Sequence, residues 1–365
     1  MKSRIILRAK IYEAANLFTH QQISQHFEGL YDMDIFKQSI GIDVSMDTIE
    51  VCYGYIDFNQ SIVLTKSKTF KNTSVGHKKC LEWSLKNKLA DALPMIFVME
   101  ATGVYYENLA HFLNCNKQQV AVVLPTKIRN YAKSLESKSK TDPIDSATIT
   151  HFALERKQFL WSPPDPKIKA IKDLSREYLT LKVMGAEVKN RIHAKEHSFS
   201  CKKNTLKRKQ KMIAFIDKQK QQVIDEITEV IKTIPGLEEK ITKLESIKGV
   251  GFITIVTVLA ETNCFEHVTS AKQLASYAGM DVALNDSGKR KGKANISKRG
   301  NKFIRHAVFM PALSASRHNP QLKELYKRLV QKGKNKKAAL IAVARKLLLL
   351  IYALWKNGTI YSPDY

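Results

Sequence analysis

The sequence predicts an α/β domain followed by a mainly α-helical one, and three observations carry that prediction. Short Ile- and Val-rich runs alternate with helical segments through the first 160 of 365 residues. After the Pro-rich boundary Trp161-Ser-Pro-Pro-Asp-Pro166, apolar residues recur at helical spacing and Gly and Pro become few. Finally, 60 Lys and Arg stand against 34 Asp and Glu, a formal charge of +26 spread over most of the chain. Such an excess implies a polyanionic partner, nucleic acid first among them.

Residues 1–38 form a polar lead-in without a motif, treated as an N-terminal extension. The α/β domain is expected over 39–160. Ile40–Ile56 reads as two strands and a tight turn, Phe70–His77 as a polar turn, and Lys78–Lys88 as a helix carrying Leu81, Trp83 and Leu85. Met95–Glu100 is a buried-type strand ending on an acid, followed by a helix over Tyr105–Leu113 and an apolar strand over Val120–Pro125. A helix then starts at Asp142 and runs through Ile149, Phe152 and Ala153.

That last helix opens on Lys140-Thr-Asp142-Pro-Ile-Asp145-Ser. Asp142 and Asp145, three apart, share a helix face, and Pro143 suits the first turn, where its missing N–H has no partner to lose. Acids there also favour the helix dipole, so a solvated first turn is the plainer explanation of this pair taken alone. Two upstream acids change the balance. Asp43 sits among Ile and Val in a strand, where a carboxylate is costly unless paired or bound to metal, and Glu100 ends another strand. Four carboxylates from three elements suit hard divalent cations, and two such ions can activate an attacking oxygen and steady a leaving one in phosphodiester chemistry.

Residues 167–245 are expected to form a long antiparallel helical hairpin or coiled coil, with Leu174, Tyr178, Leu181 and Val188 at helical spacing. Its middle is dense in cations, Lys202, Lys203 and Lys207 among them, which favours phosphate contact over a merely solvated tip. A third region, 246–360, opens on Lys248-Gly249-Val-Gly251 ahead of an apolar helix. This resembles a helix-hairpin-helix turn, in which glycines let backbone approach a phosphate at a helix N-terminus; a plain turn is the alternative. A short helix is expected within Phe265–Gly279. The glycine-rich basic stretch 286–301 follows, with Ser287, Lys289, Arg290, Lys298 and Arg299, and Arg305 lies just beyond it. It either holds a DNA backbone as a flexible loop or offers Ser287 as a nucleophile toward phosphorus. Two helices, Phe303–Ala315 and Lys334–Trp355, close the chain.

No uninterrupted run of about 18 uncharged apolar residues occurs, so no membrane partner is expected. The charged first ten residues do not resemble a signal peptide core. Five cysteines without disulfide or metal spacing read as free thiols in a reducing cytoplasm, where the protein is expected to be nucleoid-associated when acting.

Gly41-Ile-Asp43-Val-Ser, Glu100-Ala-Thr-Gly103-Val-Tyr105 and Lys140-Thr-Asp142-Pro-Ile-Asp145 resemble the three blocks of the DEDD insertion-sequence transposases of the one-ten family, also called bridge-RNA-guided recombinases. Ile247–Gly251, Tyr277-Ala-Gly279, Ser287-Gly288 and Ile296–Asn301 resemble its C-terminal transposase domain, so the likeness covers about residues 39–360. The resemblance implies a RuvC-like domain of RNase H fold holding Mg²⁺, or Mn²⁺, through Asp43, Glu100, Asp142 and Asp145. It implies that Ser287 attacks DNA to form a 5′-phosphoserine-type link. It further implies homodimers pairing into a tetramer, in which the acids of one subunit meet the serine of another. A structured non-coding bridge RNA would pair with donor and target DNA. The chain departs from the family in lacking a proline soon after Ala278-Gly279 and in its longer lead-in.

Three other functions compete with this reading. A junction-resolving nuclease would use the four acids and water alone. An actin-like nucleotide-binding protein would share the Gly-Ile-Asp-Val-Ser hairpin, yet the further glycine-rich phosphate loops it needs do not stand out. An inactive nucleic-acid-binding scaffold would have no use for all four acids.

Overall fold

The computed structural model describes residues 35–135, 141–200, 202–283 and 295–362. Two compact units divide at Pro163/Pro164.

Unit one is built on a mixed sheet. β1 (Ile35–Val44) and β2 (Thr48–Asp57) form an antiparallel hairpin in which Gly41 faces Cys52 and Asp43 faces Glu50. β3 (Ile62–Leu64) and β4 (Lys68–Lys71) both pair with β2. β5 (Met95–Glu100) lies parallel to β1, and β6 (Gln119–Val123) parallel to β5, giving the order β3-β2-β1-β5-β6 with β1 central. Its described residues add four helices: α1 (Ser74–Lys86), α2 (Glu107–Cys115), α3 (Pro125–Ser134) and α4 (Asp142–Glu155).

The alternation of β1 decides how the layers stack. Its even-numbered Ile40, Ile42 and Val44 join a core with Cys80 of α1 and Leu109, Ala110 and Leu113 of α2. On the other face, Val98, Ala121 and Val123 pack with Ile128 of α3 and Ile149 and Ala153 of α4. Successive strand side chains point to opposite faces, so the odd-numbered Lys37, Ser39, Gly41 and Asp43 lie on the side that α4 covers.

Several boundaries differ from expectation. β1 starts at Ile35, so the last residues of the supposed extension belong to the sheet. The strands β3 and β4 carry too short an apolar pattern to stand out. α1 begins inside the predicted polar turn because Thr73 caps it, its hydroxyl accepting from the Gly76 amide. Pro125 opens α3 rather than closing a strand, since proline fits a first helical turn. The helix predicted over 105–113 begins two residues later.

Unit two is helical. α5 (Pro166–Glu196) and α6 (Lys203–Lys232) form the expected long hairpin; Asp165 caps α5 by accepting from the amides of Lys167 at 2.7 Å and Ile168 at 3.4 Å. α7 (Leu237–Glu245), α8 (Phe252–Glu261), α9 (Ala271–Tyr277), α10 (Lys302–His318), α11 (Pro320–Gln331) and α12 (Lys336–Asn357) follow. The hairpin base shares one core with these helices, running from Ile171 and Ile227 through Ile255 and Leu259 to Val308, Leu347 and Ile351. The chain thus closes on three helices rather than two; α11 starts at Pro320 under an Asn319 cap. α12 is the one described helix long and apolar enough to cross a membrane. Its Val343, Leu347, Leu348 and Ile351 are buried in the core of unit two.

Candidate active site

The four predicted acids converge by strand and helix register. In the parallel β1/β5 pair Ile42 is level with Met99, so Asp43 and Glu100 follow side by side at the ends of their strands. α4 brings Asp142 and Asp145 through its first turn, with Thr141 as the capping residue and Pro143 inside that turn. The electrostatics agree that all four are neighbours. Burial, followed by the charges of Asp145, Asp142 and Glu100, pushes the Asp43 carboxyl up to about 6, with only the Val44 amide acting the other way. Glu100 also accepts a long hydrogen bond from the Thr102 hydroxyl at 3.4 Å.

The donor set is all carboxylate oxygen, which fits a hard divalent cation. Among the described residues, however, no three Asp, Glu, His or Cys side chains are gathered tightly enough to hold one.

A fifth acid escaped the sequence reading. Glu50 lies opposite Asp43 in the hairpin, is 7 % exposed, and accepts from the Thr69 hydroxyl at 2.6 Å. Its signal was the turn at Ser45–Asp47, which fixes the register placing 43 against 50.

Unit two holds the other candidates. Ser287, Lys289 and Arg290 lie outside the described residues. The strands that flank them, β7 (Val282–Ala283) and β8 (Asn295–Ile296), pair antiparallel. Below this pair the chain is stitched by the Ser297 amide and hydroxyl to Asp281, at 2.9 and 2.5 Å, and by the Lys298 amide to the Gly279 carbonyl at 3.0 Å. Gly279 and Gly300 cross so closely that a Cβ on Gly300 would stand 2.4 Å from the Gly279 nitrogen. Arg305 turns inward here, one guanidinium nitrogen donating to the carbonyls of Ala278, Gly300 and Asn301. It therefore has an architectural occupation besides any contact with nucleic acid. Lys298 and Arg299 are exposed.

Lys202, Lys203 and Lys207 are exposed at the start of α6, and no acid lies in that first turn. Cations at a helix N-terminus run against the dipole. Lys248 is exposed in the turn between α7 and α8. The two glycines beside it have different reasons. Gly249 has φ +97°, and a Cβ there would stand 2.7 Å from the Ala315 nitrogen, so close packing on α10 demands it. Gly251 has open space around it and precedes α8 as the capping residue, leaving the helix amides approachable.

The sequence also missed Glu261, 2 % exposed on α8. It accepts a bidentate pair from Arg176 of α5 at 2.6 and 2.9 Å and a third bond from the Asn301 side chain at 2.7 Å, while the Tyr277 hydroxyl donates to its carbonyl at 2.8 Å. Glu261 thereby ties α5 and α8 to the root of the β7/β8 hairpin.

With this geometry in view, comparison with known proteins is consistent along the chain. A family model described as a transposase matches residues 40–195, and one described as the IS116/IS110/IS902 transposase family matches residues 241–327. The pilin gene-inverting protein of Moraxella bovis is 31% identical over 329 residues, covering 88% of this chain and 97% of that protein. The pilin gene-inverting protein of Moraxella lacunata is 31% identical over the same length and the same shares. The transposase for insertion sequence element IS1111A of Coxiella burnetii is 26% identical over 143 residues, 38% of this chain and 39% of that protein. The chain belongs to the IS110 family of transposases and is a DNA transposase or recombinase.

Proposed function

We propose that this protein cuts and rejoins the DNA of an insertion sequence through a divalent-cation site and a serine nucleophile, with a structured bridge RNA choosing donor and target. Unit one serves as the RuvC-like domain of RNase H fold, and Asp43, Glu100, Asp142 and Asp145 hold Mg²⁺ or Mn²⁺. The observation that carries this reading is the half-buried Asp43, whose carboxyl is raised by burial and by three acids from two other elements. A bound divalent cation would supply charge neutralisation at a transferring phosphate. The protein's own contribution is to bring four carboxylates into one neighbourhood from the ends of two adjacent strands and the first turn of one helix. Ser287 supplies the nucleophile: its Oγ bonds to phosphorus, the P–O3′ bond breaks, and the 3′-hydroxyl leaves with a proton. The stitched root of the β7/β8 hairpin supports the segment that carries it. Lys202, Lys203, Lys207, Lys248, Lys298 and Arg299, with the open backbone at Gly251, contact phosphates of RNA or DNA. Dimers pairing into a tetramer would bring acids and serine from different copies together.

The experiment is capture of the covalent intermediate. Denaturing gels of the purified protein with its RNA, Mg²⁺ and end-labelled donor DNA should show a protein–DNA adduct. Ser287→Ala should abolish adduct and strand exchange together. Cleavage that persists in Ser287→Ala without an adduct would replace this account with water-attack nuclease chemistry.

A further inference from the structure

The polar face of β1 does more than present Asp43. Lys37, six residues earlier on the same face, sends its ammonium to the end of α4, where it donates to the carbonyls of Ala153, Leu154 (3.0 Å) and Arg156 (2.9 Å). The last carbonyls of a helix have no partner within it, and a cation there suits the dipole. Lys37 is thus a capping group borrowed from the sheet.

Midway along, α4 touches the strand backbone. Thr150 is fully buried; its hydroxyl accepts from the Gly41 amide at 3.1 Å and lies 2.9 and 3.0 Å from the carbonyls of Ser146 and Cys52. A Cβ on Gly41 would stand 2.3 Å from the Thr150 nitrogen, so the residue two before Asp43 must be glycine for the helix to lie there.

The two anchors and the acids fit one register. Gly41 to Asp43 advances about 6.6 Å at 3.3 Å per strand residue, which equals about four residues of helix at 1.5 Å each. α4 runs opposite to β1, so four residues back from Thr150 is Ser146, directly beside Asp145 and one turn from Asp142. In the other direction Lys37 lies about 13 Å from Gly41, and its long side chain reaches the helix end. A slip of one helix residue would move both carboxylates about 1.5 Å and turn them about 100°.

From this register we infer that Lys37 and Thr150 are positioning residues, fixing α4 along β1 so that Asp142 and Asp145 stand over Asp43. The inference rests on the cation reading of the four acids. Lys37 falls before residue 40, where the family match begins.

The test titrates the full-length protein with Mn²⁺ alone, following bound Mn²⁺ by electron paramagnetic resonance at a temperature where circular dichroism shows every variant folded. Wild type should bind, and Asp43→Asn should not. Thr150→Val, which keeps the shape and loses the hydroxyl, and Lys37→Met, which keeps the stem and loses the charge, should each raise the midpoint about five- to tenfold. Thr150→Ser should return it to within about twofold of wild type. A merely structural role would lower the melting temperature and leave the midpoint of the folded protein unchanged, and that result overturns the inference. If Thr150→Val does not fold, Lys37→Met carries the same test. Wild type that binds no Mn²⁺ defeats the cation reading and this inference with it, whereas wild-type binding matched by both variants defeats the inference alone.

Discussion

Asp43 in unit one and Glu261 in unit two are acids set into packed elements, yet their surroundings are opposite. Glu261 is buried and well partnered, with Arg176 bidentate on its carboxylate, Asn301 donating to it and the Lys172 ammonium 4.0 Å away. Asp43 is half-buried, and three of the groups acting on it are further acids. A paired buried acid holds elements together, while acids that repel one another cost stability until something positive arrives. The contrast gives the two acids different expected consequences on removal.

The largest expected effect on stability lies on the well-partnered side. Hydrogen bonds to a charged group are worth about 1.5–3 kcal/mol, and Arg176, left without its partner, is part-exposed, so Glu261→Ala should strip about that much from unit two, read by chemical denaturation. Glu261→Gln, which keeps hydrogen-bonding atoms, should cost less. If Glu261→Ala left stability within about 0.5 kcal/mol of wild type, the distinction drawn between the two acids would be lost.

On the Asp43 side the effect should fall on catalysis. Asp43→Asn is expected to lower strand transfer by at least about 10²–10³-fold, the scale for removing one electrostatic stabiliser. RNA binding, measured by filter retention, should stay within about twofold. Loss of RNA binding in parallel would make Asp43 a structural residue, like Glu261. A smaller effect concerns the cations of α6. Replacing Lys202, Lys203 and Lys207 with Ala should reduce the salt slope of nucleic-acid binding by up to about 3, roughly one for each phosphate no longer neutralised. An unchanged slope would remove these lysines from the interface.

The two acids also differed in how plainly the sequence announced them. Asp43, Glu100, Asp142 and Asp145 stood out because one interrupts an apolar strand, one ends another and two open a helix, local features visible without coordinates. Glu261 ends an apolar helix and looks like an ordinary polar boundary; its burial depends on Arg176, 85 residues earlier. Lys37 escaped for a related reason. Charged and set before the Ile-rich run, it resembled an extension, and its pairing opposite Ile56 together with the distant helix end it caps places it in β1. Gly249 was noticed for a reason the structure qualifies: its positive φ and its contact with Ala315 are demanded by helix packing. Patterns of period two and 3.6 are written locally, whereas a cap or ion pair between distant segments is not.

The smallest effect is the pH dependence of the metal-free protein, and its sign is diagnostic. Folding raises the Asp43 carboxyl from 3.8 to about 6, so between those values the folded state holds more protons than the unfolded one. Stability from this group is therefore full below about pH 4 and declines as pH rises through 6. Because Asp43 is only half-buried, solvent screening reduces the change to on the order of 1 kcal/mol. Asp43→Asn should flatten that decline and leave the metal-free protein slightly more stable at pH 7 than wild type, though inactive. Saturating Mg²⁺ should reverse the wild-type slope, because protons then compete with the cation for the same oxygens. Melting curves of wild type and Asp43→Asn from pH 4 to 8, with and without Mg²⁺, measure all four limits. A wild-type slope that Mg²⁺ leaves unaltered would mean that the repulsion around Asp43 answers to some other positive charge.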